Sequence, residues 1–152
     1  MDRVLEIFSL MGMVLMIGLI IEAWDLLPET IPSHFNAAGI PDGYGHKNGL
    51  LMLPVTAFFF YLLFSLIRRF PYLGNYPWKI TAENAYTQYR LMSDLLGWLK
   101  VELIWCFAYI TRTTIRVALG QIEKLDAAFL PVFLLVVFGT ITFILYRAYR
   151  RR

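Results

Sequence analysis

The sequence predicts an all-α membrane protein, a bundle of four transmembrane helices with a structured extracytoplasmic loop after the first helix. Of its 152 residues, 59% are hydrophobic and only 16% are charged, whereas a soluble domain is about half apolar and about a quarter charged. The mean hydropathy is +0.58. A soluble domain of this size leaves about a third of its surface in water. The composition therefore excludes a water-soluble globular enzyme, and the bilayer is the first predicted partner.

Four apolar stretches are each long enough to cross a membrane, which takes about 20 mainly apolar residues. We place them at about residues 4–27, 50–67, 95–117 and 127–146. The second and fourth stretches contain no charged residue, whereas the first and third contain several. The remaining residues, about 70 in number, are too few for a separate catalytic domain of usual size. The chain is therefore expected to form a single membrane domain over residues 1–152.

The distribution of lysine and arginine predicts the orientation of these spans. Ten of the 14 basic residues fall on one side of the predicted bundle, and cytoplasmic segments carry such an excess. This places both termini and a loop at residues 68–94 in the cytoplasm of a multi-pass cell-membrane protein. The basic C-terminal tail is expected to contact anionic lipid headgroups, and no nucleic-acid partner is predicted.

The outer loop, residues 28–49, is rich in proline and glycine, which excludes a long helix. Its apolar and aromatic residues predict a compact, ordered cap over the outer helix ends. Residues 41–43, with the sequence Pro-Asp-Gly, are a turn signal. Residues 32–36 are expected to be a short extended piece.

Both histidines of the chain, His34 and His46, lie in this loop. Together with Asp42 they could bind a divalent transition metal, because imidazole and carboxylate are common ligands of such ions. Their spacing matches no standard zinc motif, and no other cofactor is predicted. In the alternative interpretation there is no metal: His34 and Asn36 bond to the loop backbone, and Lys47 pairs with Asp42.

Two charged pairs are predicted near the outer ends of the first and third spans. Glu22 and Asp25 are three residues apart, and Arg112 and Arg116 are four apart, so each pair is expected to share a helix face. The cluster is either a scaffold that positions two helices or the floor of a cavity that binds a small anion, an ion or a peptide terminus. The candidate ligand-binding residues are His34, Asn36, Asp42, Lys47, Glu22, Asp25, Arg112 and Arg116.

A single long helix is predicted from about residue 82 to residue 117, because an apolar stripe with helical spacing leads into the third span without a proline. The members of this stripe are Ala85, Tyr89, Met92, Leu96, Leu99 and Leu103. The polar side of the helix carries Asn84, Gln88 and Arg90. These residues are either a solvated face or a docking surface for a cytoplasmic regulator.

The outer loop also carries a family resemblance. Its sequence LPETIPSHFNAAGIPDGYGHK resembles the signature of the domain-of-unknown-function 1648 family, which also forms the N-terminal part of SdpI-type membrane proteins. The matching features are Leu27-Pro28, Pro32, His34-Phe35-Asn36, Gly39, Pro41-Asp42 and Lys47. Residues 75–100 and 114–121 look similar to small members of this group. The resemblance implies membrane immunity against a secreted toxin, and signalling in which a repressor is held at the membrane.

We therefore predict a non-enzymatic integral membrane binding protein of the immunity or signalling type, with an extracytoplasmic peptide or toxin as its ligand. No nucleophile with a nearby histidine and no phosphate-binding loop is readable, and the one cysteine, Cys106, lies among apolar residues of the third span. One alternative is an accessory or scaffold subunit of a larger membrane complex. Another is a metal-dependent membrane enzyme or an ion transporter.

Overall fold

The structure, a computed structural model, describes residues 2–152 and the side chains of residues 3–152. Its main elements are helix α1 (Asp2–Ala23), strands β1 (Thr30–Phe35) and β2 (Pro41–His46), and helices α2 (Met52–Ile67), α3 (Ala85–Ala118) and α4 (Phe129–Tyr149). Short 3-10 turns occupy Lys47–Leu51 and Pro71–Leu73. The chain is therefore mostly helical, with a two-stranded sheet between the first two helices.

Three helical segments are long and apolar enough to cross a membrane: Arg3–Ala23, Lys47–Ile67 and Phe129–Tyr149. They correspond to the first, second and fourth predicted spans. Helix α1 ends at Ala23, four residues before the predicted end of the first span. Helix α3 has 34 residues, a length of about 51 Å at 1.5 Å per residue. The prediction of one continuous helix over about residues 82–117 is confirmed, with bounds of Ala85–Ala118.

Helix α3 is the central element and contacts the other three helices. It runs parallel to α1, since Glu6 contacts Lys100 and Glu22 lies near Arg116. It runs antiparallel to α4, since Gln88 contacts Ala148 whereas Tyr109 stacks on Phe129. The contacts of Lys100 with Ser65 and of Phe107 with Phe60 make α2 antiparallel as well. The helices thus alternate in direction, with the hairpin at one end of the bundle (the hairpin end) and both chain termini at the other (the terminal end).

Strands β1 and β2 form an antiparallel hairpin, which confirms the expected ordered cap and its extended piece. The predicted turn at residues 41–43 is wrong, because these residues lie in β2 and His34 pairs with Gly43. The chain instead reverses at residues 36–40, where Gly39 has a φ of 78°. The Asn36 side chain accepts hydrogen bonds from two backbone N–H groups of this turn. These bonds favour a turn at residues 36–40 over the Pro-Asp-Gly turn signal at residues 41–43.

The hairpin is attached to the helices by apolar contacts and by one backbone bond. Ile31 of β1 and Leu50 are buried with Met16, Ile20 and Ile115 in the core at the hairpin end. The amide of Leu125, in the connection between α3 and α4, donates to the carbonyl of Gly39 at 2.9 Å. The hairpin is thus held both by the helical core and by the connection between α3 and α4.

The predicted apolar stripe of α3 is not its buried face. All six stripe residues are half-buried, whereas the buried positions of α3 include Gly97, Lys100, Ile104, Ala108 and Thr111. In a membrane, large apolar side chains can face lipid, and close helix packing favours small residues. Helix α3 therefore turns its smaller and more polar side toward α1 and α2.

Candidate ligand-binding site

The charged residues predicted at the outer helix ends line a pocket between α1 and α3. Glu22 of α1 and Arg112 and Arg116 of α3 face a cavity of about 390 Å³ at the hairpin end, together with Gln121. The rest of its wall is apolar and consists of Leu19, Ala23, Leu26, Ile115 and Leu119. Because α1 and α3 run parallel, their C-terminal ends meet there, and the structure brings together three of the four charged residues.

The fourth residue, Asp25, is not part of this pocket. Helix α1 ends at Ala23, and Asp25 lies in the turn that follows. The helical spacing that was expected to place Asp25 on the face of Glu22 therefore does not extend that far. The predicted cluster is corrected to Glu22, Arg112 and Arg116.

The charges of the pocket are not balanced. It contains two guanidinium groups and one carboxylate, and among the described side chains none of the three forms an ion pair within 4.0 Å. Arg112 is exposed and Arg116 is half-buried. A guanidinium presents donors in a planar fork that matches a carboxylate. The two arginines of the pocket could therefore bind an anion.

The predicted loop residues form two separate polar contacts on the hairpin instead. The Nδ1 atom of His34 lies 2.5 Å from a carboxylate oxygen of Asp42. Glu29 contacts His46 at 3.0 Å and Lys47 at 3.1 Å. The Lys47 ammonium, and to a lesser degree His46, hold the pKa of Glu29 below its ordinary value of 4.5. The expected pairing of Lys47 with Asp42 is thus replaced by Lys47 with Glu29, which the sequence reading did not consider.

The three proposed metal ligands do not come together. His34 and Asp42 lie where β1 pairs with β2 near the turn, whereas His46 lies opposite Thr30 at the far end of the hairpin. Across residues 3–152, no three side chains of histidine, cysteine, aspartate or glutamate are grouped so that they could hold a metal ion. The candidate site made of His34, His46 and Asp42 is corrected accordingly, because the pairing register of the strands separates its members.

The hairpin residues also lie outside the pocket of Glu22, Arg112 and Arg116. Asn36 stabilises its own turn, as the alternative interpretation of the loop predicted. His46 borders a second, smaller cavity of about 210 Å³, which lies beneath the hairpin against Ile110 and Thr114 of α3. Of the eight candidate ligand-binding residues, only the helical ones share a cavity.

The proposed docking residues at the start of α3 have structural contacts. Gln88 is 1% exposed, and its amide donates to the carbonyls of Ala148 and Arg151 at 2.9 and 3.0 Å. Asn84 exchanges hydrogen bonds with Thr81 in the turn before the helix. Of the three, Arg90 alone is exposed. The predicted docking surface is corrected, because the first turns of α3 pack against the last turn of α4.

The sequence reading missed a polar network in the interior of the bundle. Lys100 is fully buried and contacts Glu6 of α1 and Ser65 of α2, and Glu6 also contacts Arg68. A second polar contact joins α3 to α4, where the Thr140 hydroxyl donates to Glu102 at 2.5 Å. The charged residues inside the apolar stretches could have indicated this network, because an ionisable residue inside a span usually has a partner there.

Comparison with known proteins finds a similarity in the first part of the chain. Residues 11–66 match the family model described as Domain of unknown function (DUF1648). An uncharacterized protein of Archaeoglobus fulgidus is 41% identical over 59 residues, a match that covers 34% of this chain and 32% of the relative. The match thus spans about a third of the relative's length, and no solved structure matches the chain. The matched residues 11–66 run from within α1 through the hairpin to the end of α2, and this part of the chain is similar to the DUF1648 family.

Proposed function

We propose that this chain is a four-span integral membrane protein with both termini in the cytoplasm, and that it binds an extracytoplasmic ligand at its hairpin end. Helix α3 would cross the membrane in addition to the three apolar helices. Its alignment with the three apolar helices supports this, and so does the ion pair of its buried Lys100 with Glu6. A charged group with such a partner is tolerated at membrane depth. The excess of basic residues at the terminal end supports the orientation.

The observation that carries the proposed ligand class is the pair of unneutralised arginines in the outer pocket. Arg112 and Arg116 face a cavity of about 390 Å³ with apolar walls. A carboxylate attached to an apolar side chain fits this arrangement, because the guanidinium groups would bind the carboxylate and the leucine-rich wall would bind the side chain. The C-terminus of an apolar peptide has this chemistry, and Glu22 would accept a hydrogen bond from its backbone N–H.

The pocket is shared between the family domain and the rest of the chain. Glu22 belongs to residues 11–66, whereas both arginines belong to α3. Ligand binding would therefore act on the packing of α1 against α3. Because α3 continues from the pocket to the terminal end, a shift of this helix would also move its cytoplasmic end. An immunity or signalling role against a peptide toxin, which the SdpI resemblance implies, is consistent with this arrangement.

The test is a calorimetric titration of the purified protein in nanodiscs of neutral lipid. The probes are N-acetyl-leucyl-leucine and the same dipeptide with its carboxylate converted to an amide. We expect the carboxylate to bind at least about tenfold more tightly, since a hydrogen bond to a charged group contributes about 1.5–3 kcal/mol. Arg112→Gln and Arg116→Gln are each expected to reduce this preference.

The matched control is Lys124→Gln, which removes an exposed positive charge at the same end but outside the pocket. It is expected to leave the affinity for the dipeptide unchanged. Equal binding of the acid and the amide, or an equal loss in all three variants, would refute a specific carboxylate site.

A further inference from the structure

A third cavity lies between α3 and α4, in the half of the bundle near the terminal end. Its volume is about 350 Å³, and polar and aromatic side chains from both helices line it, among them Trp98, Glu102, Thr140, Phe143 and Arg147. We propose that this groove binds a hydrophobic cation, an ammonium group attached to an alkyl or aryl tail, with the ammonium group at the carboxylate of Glu102.

Glu102 is an incompletely partnered acid. One carboxylate oxygen accepts a hydrogen bond from the Thr140 hydroxyl at 2.5 Å. The other oxygen is buried and has no hydrogen-bond partner among the described residues. A buried carboxylate oxygen without a hydrogen-bond partner is costly in a low-dielectric site, and a cation in the groove would relieve that cost. Glu6, by contrast, has its positive charges supplied by Lys100 and Arg68.

The other charged groups of the groove lie at its opposite end. Asp94 precedes Glu102 by eight residues on α3, which is about 12 Å along the helix. Arg147 follows Thr140 by seven residues on the antiparallel α4, and its guanidinium lies 5.7 Å from the ring of Phe143. Asp94 and Arg147 both line the groove, and their formal charges are of opposite sign. With the carboxylate of Glu102, the formal charges of the lining residues sum to a net negative charge.

The walls of the groove suit the apolar part of such a ligand. Leu91, Val136 and Ile144 provide aliphatic surface. Trp98 is 41% exposed, so its indole stands at the open side of the groove, where a ligand would enter from the lipid. The face of an indole attracts cations, which adds a second interaction for an ammonium group.

The test uses octylamine, which is protonated at neutral pH, and octanol as its uncharged analogue. Each is titrated by calorimetry into the full-length protein in nanodiscs of phosphatidylcholine, and the heat of empty nanodiscs is subtracted. We expect octylammonium to bind at least about tenfold more tightly than octanol. In Glu102→Gln, which preserves the shape of the side chain, the affinity for octylammonium is expected to fall to that for octanol.

The matched control is Glu123→Gln, an exposed carboxylate in the connection between α3 and α4, which is expected to bind octylammonium like the unmodified protein. Equal affinities for octylammonium and octanol in the unmodified protein would overturn the proposal, and so would an unchanged affinity in Glu102→Gln. Where Glu102→Gln fails to fold, Val136→Trp decides the question. By filling the groove it should abolish the preference for octylammonium, and a preserved preference would place the cation elsewhere. The outcome is separate from that of the outer pocket, because the two cavities share no residue.

Discussion

The ammonium nitrogen of Lys100 lies 2.5 Å from a carboxylate oxygen of Glu6, and the Lys100 side chain is fully buried. The hydroxyl of Ser65 accepts from the same nitrogen at 3.1 Å, and the ring of Tyr61 lies 4.6 Å from it. Glu6 is shared, since Arg68 reaches the same carboxylate oxygen at 3.3 Å. The pair therefore joins α1, α2 and α3, and its two members do not depend equally on each other.

This asymmetry predicts different costs for the two neutral variants. Glu6→Gln leaves the Lys100 ammonium buried without an anion, and we expect a loss of about 3 kcal/mol in the free energy of unfolding. Lys100→Gln leaves Glu6 with Arg68, and we expect a loss of about 1 kcal/mol. The measurement is unfolding of the detergent-solubilised protein by a denaturing detergent, followed by circular dichroism. Glu123→Gln serves as the control with no change, and a larger loss for Lys100→Gln than for Glu6→Gln would contradict the prediction.

A close approach of α1 to α3 at Gly12 gives a second prediction. A Cβ atom at Gly12 would lie 2.9 Å from Cγ2 of Ile104 and 3.3 Å from Nε1 of Trp105. The same indole nitrogen donates to the carbonyl of Phe8 at 3.1 Å, so Trp105 is not free to move away. We expect Gly12→Ala to destabilise the protein by about 1–3 kcal/mol.

The matched control is Gly18→Ala on the same helix, where nothing lies within 4 Å of the added Cβ. That variant is expected to be neutral or stabilising by about 0.5–1 kcal/mol, because alanine restricts the unfolded chain and favours a helix. The same denaturation experiment measures both variants. An equal effect at the two positions would mean that Gly12 does not mark a tight helix contact.

Gln88 gives a third prediction, which concerns the end of α4. Gln88→Ala removes the two hydrogen bonds to the carbonyls of Ala148 and Arg151, and we expect a loss of about 1–3 kcal/mol in stability. Arg90→Ala, two residues away and exposed, is expected to change stability by less than about 0.5 kcal/mol. Protease sensitivity of the C-terminal tail, read by mass spectrometry, should rise only in Gln88→Ala. Equal sensitivity in both variants would argue against an anchoring role of Gln88.

The sequence predicted the apolar helices well, because a stretch such as residues 127–146 has little alternative to crossing or lying in lipid. It predicted the buried face of α3 poorly, for the same physical reason. A stripe that contains Met92, Leu96 and Leu99 need not be interior when lipid is as apolar as the core. The interior positions include Gly97 and Lys100, whose small size and charge, respectively, favour a position against neighbouring helices.

The sequence predicted correctly which charged residues of the helices lie together, but not which polar residues of the hairpin do. Glu22, Arg112 and Arg116 share a pocket because helix spacing and a parallel packing are enough to bring them together. The position of His46 relative to His34 depends on where the hairpin turns. Two turn signals compete in this loop, and a shift of the turn by a few residues changes every pair across the strands.

The lowered pKa of Glu29 gives a fourth prediction, on acid stability. Because the pKa of Glu29 in the folded state lies below 4.5, its ionised form stabilises the fold above that pH, and the contribution is lost as the pH falls through the folded-state pKa. The difference in Tm between the unmodified protein and Glu29→Gln is therefore expected to be positive at about pH 6 and to shrink as the pH is lowered below 4.5. Glu123→Gln is the control, with no pH-dependent difference expected. A difference that grows on acidification would have the wrong sign for a lowered pKa.

The fifth prediction concerns the contact that attaches the hairpin to the connection between α3 and α4. Gly39 has a φ of 78°, and a Cβ atom there would overlap the carbonyl of Leu125. Gly39→Ala is therefore expected to cost about 3 kcal/mol, from backbone strain together with displacement of the Leu125 segment. Gly120→Ala is the matched control, because Gly120 has a φ of 68° but nothing lies within 4 Å of the added atom, and strain alone predicts about 1 kcal/mol.

Hydrogen exchange should show faster exchange of the Leu125 amide in Gly39→Ala only, since that amide donates to the carbonyl of Gly39. Equal costs at the two glycines would show that the hairpin is held by the packing of Ile31 and Leu50 rather than by this contact.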